Sequence, residues 1–228
     1  MSVIEGFNQD PIQQFQLWYH FAEGKPARGV LWPIRIFLLI LRLIRRFLAI
    51  IYPPSNLNQP HAVALATSSK DNHPSVRMVL FKGIQNNQFT FYTNYKSRKS
   101  QEIEENAQVA IVFHWNWPQR QVRVEGIAKK MSHSQSEQYW KKRDRLSRLS
   151  AIASHQSEKI DNWEDIKTRV NQLKVEYQGK EIPCPEFWGG YFIEPTKVEF
   201  WELRLHRLHQ RVLYFKENDQ WKKTLLSP

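Results

Sequence analysis

"SVRMVLFKGIQNNQFTFYTNYKSRK", residues 75–99, holds two runs rich in Val, Phe and Thr, separated by "QNN". β-branched and aromatic residues favour strands and Asn favours tight turns, so the stretch reads as two strands joined by a turn. The same texture begins near residue 61 with "HAVALATSS" and continues in "QVAIVFHWNW" and "RQVRVEGIAKKM", with "KDNHP" as a further turn signal. Five such runs at short spacing predict an antiparallel barrel or sandwich. Three more, "GGYFIEPTKVEFWEL", "HQRVLYFKEN" and "QWKKTLL", follow near the C-terminus. Helical segments decorate the strands. In "DPIQQFQLWYHFAE", Ile12, Phe15, Trp18 and Phe21 recur every three residues. "SHSQSEQYWKKRDR" begins with capping-type serines, and Trp163, Ile166, Val170, Leu173 and Tyr177 form a stripe at helical spacing. The fold class is mainly β with helices.

The chain has 228 residues, enough for a full core, and its 41% hydrophobic and 24% charged residues are globular rather than disordered in balance. One cysteine, Cys184, excludes an internal disulfide framework and a Cys-based zinc cluster, and fits a reducing, cytoplasmic compartment. Cys184 itself reads as a packed loop residue. The net charge of +11 calls for an anionic partner: a phosphate-bearing ligand, nucleic acid or acidic lipid.

Cationic and hydroxyl residues cluster where strands end: Arg77 and Lys82, Tyr92 and Thr93, then Ser97, Arg98 and Lys99. A phosphomonoester offers several acceptor oxygens and nearly two negative charges, which such a set satisfies. A second group, Tyr139, Arg143 and Ser147, is spaced four and four, which places it on one side of a helix or helix-like turn. Two groups imply two phosphorylated ligands or one dinucleotide. In "RQVRVEG", Gln121, Arg123 and Glu125 share one strand face and Val122 and Val124 the other. Arg77 and Lys82, five apart, fall on opposite faces of an ideal strand, so Lys82 must lie past its end or beyond a bulge if both are to meet ligands. In "HRLHQR", Arg207 and His209 share a strand face, and His206 with His209 has no third ligand nearby, so no metal is expected.

The motifs "RMVLFKG", "FYTNYKSRKSQEIEENAQVAIVFHW", "RQVRVEG", "RDRLSRLSAIASHQS", "FWGGYFIEP", "VEFWELRLHRLHQRVLY" and "WKKTLLSP", in order from about residue 61 to the C-terminus, resemble the pyridoxine/pyridoxamine 5′-phosphate oxidase family. The resemblance implies an FMN-binding split β-barrel, a homodimer with flavin sites at its interface, and vitamin B6 chemistry. In that chemistry pyridoxamine or pyridoxine 5′-phosphate is oxidised to pyridoxal 5′-phosphate, with oxygen as acceptor and hydrogen peroxide as by-product. It places FMN contacts on Arg77, Met78, Val79, Leu80, Lys82, Tyr92, Thr93, Arg98, Lys99, Gln121, Gln156, Ser157, Trp201 and Arg211. Substrate contacts fall on Lys82, Tyr139, Arg143 and Ser147 around the phosphate, and on Arg207 and His209, the catalytic pair, near the pyridine ring. Such an enzyme needs no catalytic triad, because the cofactor performs the redox step.

The chain departs from the family pattern at Asp144, where proline is usual, at Arg148 and Ser150, where Gln and Gly are common, and at Leu203 and Gln210, which replace a glycine and an aspartate. It also carries about thirty extra residues, including "PIRIFLLILRLIRRFLAII" (33–51). At about 100° per residue, Arg35, Arg42, Arg45 and Arg46 form one stripe on an otherwise apolar helix. The uninterrupted run Ile36–Leu41 is only six residues, so spanning a membrane fits less well than lying on an anionic lipid surface or packing against another subunit. The expected organisation is a helical segment at 1–29, the insertion and linker at 30–60, and the oxidase domain at 61–228. The alternative function is a weakly active or inactive homologue that carries FMN or pyridoxal phosphate; a nucleic-acid role is not expected, since two phosphate pockets already use the basic residues.

Overall fold

A computed structural model describes residues 3–24, 59–116 and 118–228. The arginine-striped insertion, with its expected lipid or subunit contact, lies outside them. Among the described residues, eight strands run in chain order: β1 (Ala62–Ser68), β2 (Pro74–Gln85), β3 (Gln88–Asn94), β4 (Gln108–Trp115), β5 (Arg120–Lys130), β6 (Trp188–Glu202), β7 (Gln210–Glu217) and β8 (Gln220–Leu226). They hydrogen-bond in the order β3-β2-β1-β4-β5-β6-β7-β8, and an added β3–β6 pairing closes the first six into an antiparallel barrel. Five α-helices are described: α1 (Pro11–Ala22), α2 (Arg98–Glu105), α3 (His133–Lys142), α4 (Arg145–Ala153) and α5 (Trp163–Glu176). None of the described helices is long and apolar enough to cross a membrane.

The opening stretch folds as its residues dictate. Gln85 pairs with Gln88, so Asn86 and Asn87 form a two-residue turn with φ of 49° and 61°, the left-handed conformation that Asn tolerates in tight hairpins. Pairing jumps from Phe81↔Phe91 to Ile84↔Phe89, setting Lys82 and Gly83 opposite Thr90 alone. The bulge begins at Lys82 itself, and Arg77, which pairs with Glu102, does not share the cavity with Lys82, so the condition under which a bulge was needed is not met. Gly83 has φ +108°, and its carbonyl accepts from the Thr90 hydroxyl at 2.8 Å.

Two compact units share the strands. In the first, within Met1–Ala64, Ile111–Val124 and Thr196–Pro228, Asp10 caps α1 by accepting from Ile12 N at 2.8 Å. Ile12, Phe15 and Trp18 are buried, with Phe15 edge-on to Phe113 and Trp18 edge-on to Phe200. Phe21, expected on the same stripe, stays exposed at the helix end, near the Arg120 guanidinium. Val122, Val124, Val198 and Phe200 are fully buried, as strand alternation predicts.

The second unit comprises Leu65–Ala110 and Glu125–Pro195. Trp140, Leu149, Ile182 and Trp188 form a cluster that Leu173 and Tyr177 cover. The apolar stripe of α5 is only partly covered: no residue of α5 is buried, Ile166 and Val170 are half-buried, and Trp163 is 66% exposed. Gly126 sits where a Cβ would lie 2.2 Å from the Glu194 carbonyl oxygen, a backbone atom that cannot move aside. Gly126→Ala is expected to destabilise the protein by about 3 kcal/mol, at the upper end of ordinary overpacking; an unchanged thermal midpoint would refute it.

Three sequence expectations are corrected here. Tyr139, Arg143 and Ser147 do not share one helix, because α3 ends at Arg143, whose backbone is extended, and α4 restarts behind the Asp144 cap. Arg207 and His209 do not share a strand face. β6 ends at Glu202, and Arg207 closes a one-turn 3-10 helix with φ of 61°. α2, in turn, was read only as a basic strand end.

Candidate active site

A cavity of about 520 Å³ opens in the second unit. β2 supplies Met78, Val79, Leu80 and Lys82, β3 supplies Tyr92, Thr93 and Asn94, α2 supplies Lys99, and β6 supplies Trp188. Arg143, Asp144, Ser147, Ser150 and Ser154 come from the α3–α4 corner and α4, followed by Gln156. Tertiary structure thus unites most of both cation-and-hydroxyl groups read from the sequence.

Lys99 anchors one side. It is 7% exposed, and its ammonium donates to Thr93 Oγ1 at 3.1 Å and Ser97 Oγ at 3.0 Å. Burial, then repulsion from Arg77, lower its pKa to about 8, with Glu102 partly opposing them. The Thr93 hydroxyl passes its own hydrogen to Gln156 Oε1 at 3.3 Å.

Arg143 anchors the other side. Its guanidinium lies 5.0 Å from the Trp188 ring centre, and Nη2 reaches the Ser147 carbonyl oxygen at 3.4 Å. Burial lowers its pKa, which the charges of Tyr139 and Asp144 partly offset, and its buried Nε has no hydrogen-bond partner among the described residues. Tyr139 does not line the cavity; it stacks on Tyr92 at 4.0 Å, while Lys82 Nζ lies 5.9 Å from its ring. Trp188 continues that stack, 5.5 Å from Tyr92.

Arg77 and Arg98 turn to Glu102 instead of the cavity. The Glu102 carboxylate accepts from Arg98 Nε at 2.8 Å, Arg77 Nη2 at 3.1 Å, Ser75 Oγ at 2.6 Å and the Thr67 hydroxyl. Burial alone would push its pKa up, but these donors, led by Ser75 and Thr67, hold it down at about 2. Arg77 also donates to the Thr67 and Ser75 hydroxyls and to the Leu65 carbonyl. Ser157, with φ of 76°, lines a second cavity of about 360 Å³, which Gln156 also borders.

The remaining expected contacts lie in the first unit. Gln121 is half-buried on the face opposite Val122. Trp201 pairs in register with Arg211, and its ring centre lies 4.6 Å from that of His209. Arg211 donates to Glu199 at 2.9 Å and to the Ser227 carbonyl at 2.9 Å. Gln210, in place of the family's aspartate, accepts from Arg204 at 2.9 Å, so that arginine keeps a partner. Sequence reading passed over Glu102 and Trp188. The i,i+4 spacing of Arg98 and Glu102 was the available signal for the first.

Residues 55–175 match the family model described as pyridoxamine 5′-phosphate oxidase, more than half of the chain. The chain belongs to this family. Residues 188–228 match the pyridoxine 5′-phosphate oxidase C-terminal dimerisation region. A pyridoxine/pyridoxamine 5′-phosphate oxidase of Rubrobacter xylanophilus is 39% identical over 224 residues, covering 98% of this chain and 89% of that one. That of Leptospira biflexa is 45% identical over 170 residues, covering 75% and 80%. Among solved structures, PhzG from Burkholderia lata, in complex with tetrahydrophenazine-1-carboxylic acid, superposes with a TM-score of 0.72 at 29% identity, covering 82% of this chain and 92% of that one. Membership makes the protein an enzyme of an FMN-dependent oxidase family. The cavity suits such a cofactor: the buried Lys99 ammonium, set beside the Thr93 and Ser97 hydroxyls, suits an anionic phosphate, and aromatic rings border strand β2.

Proposed function

We propose that this oxidase converts pyridoxamine or pyridoxine 5′-phosphate to pyridoxal 5′-phosphate, with oxygen as acceptor and hydrogen peroxide as by-product. The observation that carries the reading is one cavity with two separate phosphate-type groups, Lys99 with Thr93 and Arg143 with Ser147. One suits the phosphate of FMN and the other that of the substrate, which favours a phosphorylated substrate among those the fold accommodates. Bound FMN supplies the hydride acceptor and the route to oxygen. Lys99, Thr93 and Gln156 hold its polar end, with Met78, Val79, Leu80 and Tyr92 alongside. Arg143, Ser147 and Lys82 fix the substrate phosphate, while Tyr139 stiffens Tyr92 by stacking. Arg77 and Arg98 contribute positive charge from behind, held by Glu102. Ser157, beside Gln156, joins the flavin contacts, while Gln121, Trp201 and Arg211 as flavin contacts and Arg207 and His209 as pyridine contacts rest on the family resemblance alone.

A homodimer fits the dimerisation region and the exposed apolar row Val76, Met78 and Leu80 on β2, since apolar surface of this kind marks an interface. Purified protein supplied with FMN is expected to show a flavin absorption band and to consume oxygen when given pyridoxamine 5′-phosphate. No band after FMN addition overturns the reading; a band without turnover leaves a carrier.

A further inference from the structure

The proposed substrate-phosphate group carries its own opposing charge. Asp144 lines the cavity between Arg143 and Ser147. Its carboxylate accepts from Ser147 N at 2.8 Å and Leu146 N at 3.2 Å, taking the first donors of α4. The Ser147 hydroxyl and amide, with the Leu146 amide, also hold its pKa below the usual carboxylate range, so it is ionised at neutral pH. Free amides at a helix start attract phosphate, and here a carboxylate already occupies them. A dianion arriving at Arg143 and Ser147 therefore meets both a spent donor and a like charge.

We infer that Asp144 is a specificity residue that loosens the hold of this site on a phosphate dianion. The inference rests on Arg143 and Ser147 being the substrate-phosphate group. Substrate and product carry the same phosphate, so the loosening acts on both, raising the substrate concentration the enzyme needs and hastening release of the aldehyde product.

Asn caps a helix as well as Asp does, so Asp144→Asn removes the charge and keeps α4 intact. FMN-loaded protein is titrated calorimetrically with pyridoxal 5′-phosphate and with pyridoxal, at low and high salt. The variant is expected to bind pyridoxal 5′-phosphate about tenfold more tightly at low salt, the effect of one charge on a nearby dianion in a largely solvated setting, and less so at high salt. Affinity for pyridoxal stays unchanged. Equal affinity for the phosphate ester, or an equal gain for pyridoxal, overturns the role of Asp144. Arg143→Ala, titrated in parallel, separates the two failures. If it weakens the phosphate ester while Asp144→Asn changes nothing, only Asp144 was misread. If it too changes nothing, the phosphate site itself was misplaced and the inference falls with it.

Discussion

Lys99→Met is expected to give a protein that is more stable without FMN and yet binds FMN on the order of 100-fold more weakly. Both effects have one origin. The ammonium is buried beside Thr93 and Ser97 with Arg77 repelling it, and its pKa stands at about 8 instead of 10.5. That difference means charged Lys99 opposes folding at pH 7 by on the order of 3 kcal/mol in the free protein. The folded pKa lies below the unfolded one, so the folded state gives up the proton first. The Lys99 contribution to the stability of the flavin-free protein should therefore rise as pH climbs from about 8 to 10.5, read as the difference between wild type and Lys99→Met, because Cys184 and the buried tyrosines, with raised pKa values, lower stability over the upper part of that range. An arriving phosphate supplies the missing charge, and hydrogen bonds between charged groups contribute roughly 1.5–3 kcal/mol. Thermal melts across that pH range and flavin titration check the two halves. A variant that loses stability, or keeps its FMN affinity, contradicts the account.

Arg143→Ala is expected to lower kcat/KM for pyridoxamine 5′-phosphate by about 100-fold, mostly through KM, the loss of a charge-assisted contact worth roughly 1.5–3 kcal/mol. The fold should tolerate the change. Arg143 makes one long bond, to the Ser147 carbonyl at 3.4 Å, its Nε has no partner among the described residues, and burial lowers its pKa. Removing it relieves a desolvated charge. Steady-state kinetics with pyridoxamine 5′-phosphate and with unphosphorylated pyridoxamine give the check, because only the first should suffer. Equal losses for both would place Arg143 away from the phosphate.

Much of the scaffold was legible because strand signals are local. Val122 and Val124 alternate with Arg123 and Glu125, and burial follows that alternation residue by residue. The "QNN" turn follows from Asn tolerance, and counting faces sets Arg77 apart from Lys82, which alone of the two lines the cavity. Helix α2 was not legible, because its buried side includes Lys99, Ser100 and Glu102, so an apolar period could not reveal it. The α3–α4 corner broke a four-and-four spacing that suggested one helix, yet Arg143 and Ser147 still line one cavity.

By itself the sequence determined the strands, the turns between them, the family and the stock of cations and hydroxyls, since each depends on residues near one another or on motifs in order. Tertiary structure decided which cations face the cavity. Arg77 lies 25 residues from Glu102, and the placement of α2 against β1 and β2 brings them within 3.1 Å. Periodicity sets the face of a strand on which a charge emerges. The long-range partner that meets it there decides whether that charge remains available to a ligand.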